Sequence, residues 1–82
     1  MAYETIACLS HAWRQMFVRK IGEIQVRRTI AEPDRLYPSR SHPERMVAER
    51  VNASGNTIRV VFESQEDGGV ALVITVIRIG RK

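Results

Sequence analysis

One cysteine, Cys8, carries all the thiol chemistry of this 82-residue sequence. That rules out an internal disulfide framework and any site built on several cysteines. Histidine is almost as scarce: His11 and His42 lie far apart, without the spacing of metal ligands. No metal or cofactor is therefore expected. Lysine is thinly used as well, since Lys20 and Lys82 are the only two. The apolar stretch Val70 to Ile77 falls well short of the roughly 18 residues that span a bilayer. The N-terminus carries Glu4 and lacks a basic segment followed by an apolar run, so no secretory signal is expected. These absences point to a cytoplasmic protein with no membrane association. The length leaves no room for a second core, so residues 1–82 should form one domain.

Arginine fills the place that lysine leaves. The net charge is +4 and the isoelectric point is near 10.0. An excess of Arg favours an anionic partner, because its planar fork grips phosphate or carboxylate at two points. Codon usage in a GC-rich genome produces the same bias without a partner, and composition does not separate the two.

Apolar periodicity divides the chain into a helical first half and a strand-rich second half, which is an α+β pattern. Leu9, Ala12, Trp13, Met16 and Phe17 recur at helical spacing behind Ser10, a good N-cap, and the pattern runs to about Lys20. They are expected to form a buried face. A second helix is expected over Glu23–Ala31, with Ile24, Val26 or Arg27, and Ile30 inward, closed by Pro33. Asp34 to Glu44 reads as an extended segment running into a loop. Strands are expected over Arg45–Asn52, Thr57–Glu63 and Val70–Ile79, with turns at NASGN and EDGG. Val70–Ile79 is apolar at nearly every position, as in a central strand covered on both sides. Two N-terminal helices on a three- to four-stranded antiparallel sheet, connected as a meander, is the architecture these segments imply.

The stretch HAWRQMFVRKIGEIQV, the IAEP turn and the late strand VITV resemble the domain-of-unknown-function family 4258. His11 matches that family's helix-opening histidine, Arg19 the arginine before the break, Ile21 the isoleucine, Pro33-Asp34 the turn, and Thr75 the threonine of the last strand. One position departs: the family usually carries Arg one helical turn after the histidine, and here Gln15 stands there. The resemblance implies a fold similar to the RelE/ParE toxin-like group and to barnase, EndoU and colicin nucleases. It also implies metal-independent RNA cleavage in a toxin–antitoxin setting.

Such a reaction needs a proton carrier and a cation on the phosphoryl oxygens, which His and Arg supply. The resemblance thus marks His11, Arg19 and Thr75 as a candidate catalytic set. His11 and Arg19 are eight residues apart, about 12 Å along a helix, so only the long Arg side chain reaching back would bring them together. Each also has a plain structural explanation: a helix-start histidine, a helix-end cation and a strand threonine. Basic and aromatic residues elsewhere form a candidate nucleic-acid surface: Arg14 on the first helix, then Arg35, Tyr37, Arg40 and Arg45 around a loop that also holds His42. Arg59 and Arg78 either extend that surface or pair with Glu63 and Glu49. The functions left open are a ribonuclease, a non-catalytic basic module for RNA or an acidic antitoxin-like protein, and a homodimer.

Overall fold

Both helices form where the apolar spacing puts them. In a computed structural model, which describes Tyr3 and residues 5–65 and 69–80, α1 spans Ser10–Arg19 and α2 spans Glu23–Ala31. Ser10 is the first helical residue rather than the cap; extended Leu9 holds the cap position and offers no side-chain bond. α1 ends on Lys20, which adopts the left-handed conformation at φ 56° and turns its N–H onto the Met16 and Phe17 carbonyls. Gly22 caps α2, Glu23 sits in its first turn and Arg28 in its last, the order the helix dipole favours.

The sheet overturns the expected three- to four-stranded antiparallel arrangement. It has five strands, β1 (Thr5–Cys8), β2 (Arg35–Pro38), β3 (Met46–Val51), β4 (Thr57–Gln65) and β5 (Val70–Ile79). Their order is β1-β5-β4-β3-β2. The run β2 to β5 is the expected antiparallel meander, but β1 pairs parallel to β5. The class remains α+β, with a mixed sheet. TIAC is too short to display a strand period, and its pairing depends on the far end of the chain. β2 emerges from the segment read as extended, with Pro38 at its end and on the sheet edge, where a missing N–H costs little. In the expected EDGG turn, Glu66, Asp67 and Gly68 lie outside the described residues; Gly69 is in a turn.

Register fixes the faces of the sheet. Ala48, Ile58, Val60, Phe62, Ala71, Val73 and Val76 join Ala12, Met16, Ile21, Val26 and Ile30 in one buried cluster. α1 packs mainly on β5, and α2 on β4 and β3. Between β4 and β5 the register slips, so that Val61 faces Thr75 while Phe62 faces Val73. Ile74 is the extra residue of a β-bulge. The bulge switches the parity of β5, which is why Val73 and Val76, three apart, both reach the core.

Neither helix of the described residues covers the other face of the sheet. Val47, Val61, Leu72 and Ile77 lie on it by register, with only Val47 of these fully buried. β5 is thus covered by this chain on one side and not on both. The tight turn from β3 to β4 is organised by Asn52, whose side-chain oxygen accepts from the Ser54 and Asn56 N–H groups at 3.0 Å each. Gly55 takes φ 85°, a conformation glycine adopts without the steric cost of a Cβ.

Candidate functional site

α1 presents three distinct surfaces. Its inner surface is Ala12 and Met16, packed into the core. Beside it runs the polar stripe of His11, Gln15 and Arg19. β1 stops pairing at Cys8↔Val73, and the Leu9 N–H bonds the Val73 carbonyl at 3.0 Å. Past that point no strand of the described residues lies beside the outer edge of β5. Gln15 Oε1 accepts the Val76 N–H at 2.8 Å, and Arg19 donates to the Val76 carbonyl at 3.3 Å. Two side chains thus replace a missing strand, satisfying backbone groups that an open edge leaves bare.

The candidate catalytic residues are only partly gathered. Arg19 is held against β5 next to Thr75 in the chain. Thr75 itself pairs with Val61, so its side chain lies on the sheet face away from the helices. His11 is exposed at the first turn of α1, and its side chain has no hydrogen bond or ion pair among the described residues.

The third surface of α1 departs from expectation. Phe17 is 86% exposed, Trp13 50% and Leu9 43%, forming an i, i+4, i+8 stripe open to solvent. Val18 and, in α2, Ile24 at 74% add to the apolar surface. The five apolar positions Leu9 to Phe17 span an arc of roughly 140° around the helix. The sheet covers only the Ala12–Met16 part of that arc, leaving Trp13 and Phe17 beyond the contact. Cys8, just before α1, has its thiol pushed up by burial first and by Glu23, against the opposing effect of Arg27. Glu23 and Arg27, both on α2, are therefore near enough to Cys8 for their charges to act on its thiol.

The expected nucleic-acid residues split into two sets. Arg35, Tyr37 and Arg59 converge on the open sheet face, but around a carboxylate. Glu49 is nearly buried; it accepts from Tyr37 Oη at 2.5 Å and from Arg59 Nε at 2.8 Å. Arg35 lies 3.9 Å from its other oxygen and over the Tyr37 ring at 5.6 Å. The Tyr37 bond, with the Arg59 bond and charge, holds the Glu49 carboxyl below its usual value despite its burial. The same bond pushes the Tyr37 phenol up. Arg45 is likewise paired with Glu63 at 2.9 Å. Pairing of Arg59 and Arg78 with Glu63 and Glu49 was one of two alternatives the sequence left open, and the register that sets Glu49 opposite Arg59 decides it for Arg59; the approach of Arg35 and Tyr37 on β2 depended on an edge strand that the sequence barely marks.

The remaining cations have no carboxylate partner among the described residues: Arg14 and Lys20 flanking the α1 stripe, then Arg19, Arg28, Arg40 and Arg78. No three His, Cys, Asp or Glu side chains among the described residues are placed to hold a metal ion. No helix among them is long and apolar enough to cross a membrane.

Neither a curated protein nor a solved structure matches the chain. A family model described as Domain of unknown function (DUF4258) matches residues 9–78, from the start of the exposed stripe to the end of β5. The chain therefore belongs to the DUF4258 family.

Proposed function

We propose that this protein is a non-catalytic docking module whose α1 outer surface receives an acidic protein partner. The observation that carries this is the exposed stripe Leu9–Trp13–Phe17 with Val18 and Ile24, since Phe17, Ile24 and Val18 are the three most exposed large apolar residues among the described ones. A contiguous apolar patch on a small soluble domain marks an interaction surface, and aromatic anchors are the residues that dominate such contacts. Arg14 and Lys20 beside the stripe have no carboxylate partner and call for negative charge opposite them. A second copy would set these cations against themselves, whereas an amphipathic segment carrying Asp or Glu would pair with them. Trp13 is the sole tryptophan, so its fluorescence reports directly from the patch. An acidic amphipathic helical peptide should shift the Trp13 emission to the blue, and Phe17→Ser should abolish the shift. An equal shift with a basic peptide of the same apolar residues, or no shift with either, would refute the reading.

A second reading, a toxin-like metal-independent ribonuclease, is favoured by one observation. His11 is open to solvent on the same polar stripe as Arg19, whose charge no carboxylate neutralises. His11 would move the proton of the attacking 2′-OH, and Arg19 would steady the phosphoryl charge. RNA incubated in EDTA with the protein and with His11→Ala tests it. Cleavage by the wild type alone supports the reading; equal cleavage by both, or by neither, removes it.

A further inference from the structure

We infer that the hollow between α2 and the β3–β4 turn is a binding site for a phosphate-bearing ligand of mononucleotide size. This hollow is separate from the α1 stripe and from the paired charges of the open sheet face. Its volume is about 510 Å³, within the range of small-molecule sites and larger than a bare phosphate fills.

Its lining is rich in donors and has no acid. Arg28 reaches it from the last turn of α2 and Arg50 from β3. The Arg28 side chain has no hydrogen-bond or ion partner among the described residues. Arg50 is steadied by the Glu32 carbonyl at 2.6 Å and by the Glu32 carboxylate at 3.7 Å. A guanidinium has five N–H donors in a flat fork, so Arg50 retains donors for a ligand while Glu32 fixes its direction. Gln25 and Ser54 add an amide and a hydroxyl. The Thr29 hydroxyl is already committed to the Gln25 carbonyl at 2.7 Å. The nearby acids lie outside the lining and are engaged on its wall: Glu32 on Arg50, and Asp34 on the Val51 N–H at 2.8 Å.

An exposed arginine by itself is only a solvated cation. Two arginines lining one concave space are different, because like charges repel; the Glu32 carboxylate at 3.7 Å offsets Arg50 in part, and Arg28 has no carboxylate partner among the described residues. An oxyanion accepting from both forks relieves that repulsion. Phosphate carries more charge and more acceptor oxygens than a carboxylate, and so uses more of this donor set. Ile58 and Val51 give the same space an apolar wall, on which a base or ribose would rest. The turn that forms the rim is held by Asn52, so the site exists before the ligand arrives.

The phosphate could arrive on a free nucleotide or at the end of an RNA strand, and titration separates these sources. Amide chemical shifts would be followed while adding AMP, adenosine, inorganic phosphate or a short 5′-phosphorylated oligonucleotide. AMP should move the resonances of residues 50–54 and 28, adenosine should leave them in place, and inorganic phosphate should move them at higher concentration. An oligonucleotide binding more than about tenfold tighter than AMP would mark the source as a strand; comparable or weaker binding would mark it as a free nucleotide. Arg28→Ala should lower the AMP affinity by at least about tenfold, the worth of a charge-assisted contact. Arg78→Ala removes the same charge away from the hollow and should leave the affinity alone. Because Arg28 is exposed and unpaired, its loss should leave the thermal melt unchanged. Identical responses to AMP and adenosine, no response to either, or equal losses from the two arginine variants would each overturn the assignment.

Discussion

Replacing Gln15 by Met tests the idea that the α1 polar stripe finishes the sheet. The change keeps the length and helix propensity of the side chain and removes the acceptor 2.8 Å from the Val76 N–H. Val76 is fully buried, and no strand lies alongside to take over. The loss is one hydrogen bond plus the desolvation of a donor left without a partner, together about 1–2 kcal/mol for a partly buried group. For a domain of this size that is a fall of roughly 4–16 °C in melting temperature. Gln15→Glu retains an oxygen at the same reach and should cost less than Gln15→Met. Gln15→Arg sets a donor against a donor and should cost at least as much as Met. Urea titrations at pH 7 would measure all three, with an unchanged slope confirming that only stability has moved. If Gln15→Met and Gln15→Arg unfold at the wild-type midpoint, the edge-capping argument is wrong.

The two neighbouring residues Met16 and Phe17 should respond in opposite ways. Met16→Ser removes a residue 3% exposed and should cost about 2–5 kcal/mol, whereas Phe17→Ser, at 86% exposure, should be neutral within about 0.5 kcal/mol by chemical denaturation. Lys20→Gly relieves the left-handed cap of α1 and should raise stability by about 1 kcal/mol, read as a higher urea midpoint. Glu49 has a folded pKa below its unfolded value, 4.5, so its contribution is present above pH 4.5 and disappears as pH falls through the folded value. Unfolding midpoints measured down the acid range should show this decline in the wild type and a flatter one in Glu49→Gln; parallel curves would refute the assignment.

Much of this protein was determined locally. The bounds of α2 and β5, the turn at Asn52–Asn56 and the burial of Met16, Ile30, Ile58, Val60 and Phe62 follow from short-range period, caps and breakers. Each depends on residues within a few positions of one another, which is what a sequence displays. Three features instead depend on distant chain segments meeting. β1 becomes a parallel strand because β5, some 65 residues on, offers it an edge. Gln15 and Arg19 read as a chemical stripe but become edge caps because β1 ends before β5 does. Trp13 and Phe17 share the period of a core face, yet only a neighbouring element converts period into burial, and the sheet reaches no further around α1 than Ala12 and Met16. Periodicity states which residues share a side of a helix. How wide a part of that side is covered, and therefore which aromatic residues remain open to a partner, was settled by the tertiary packing alone.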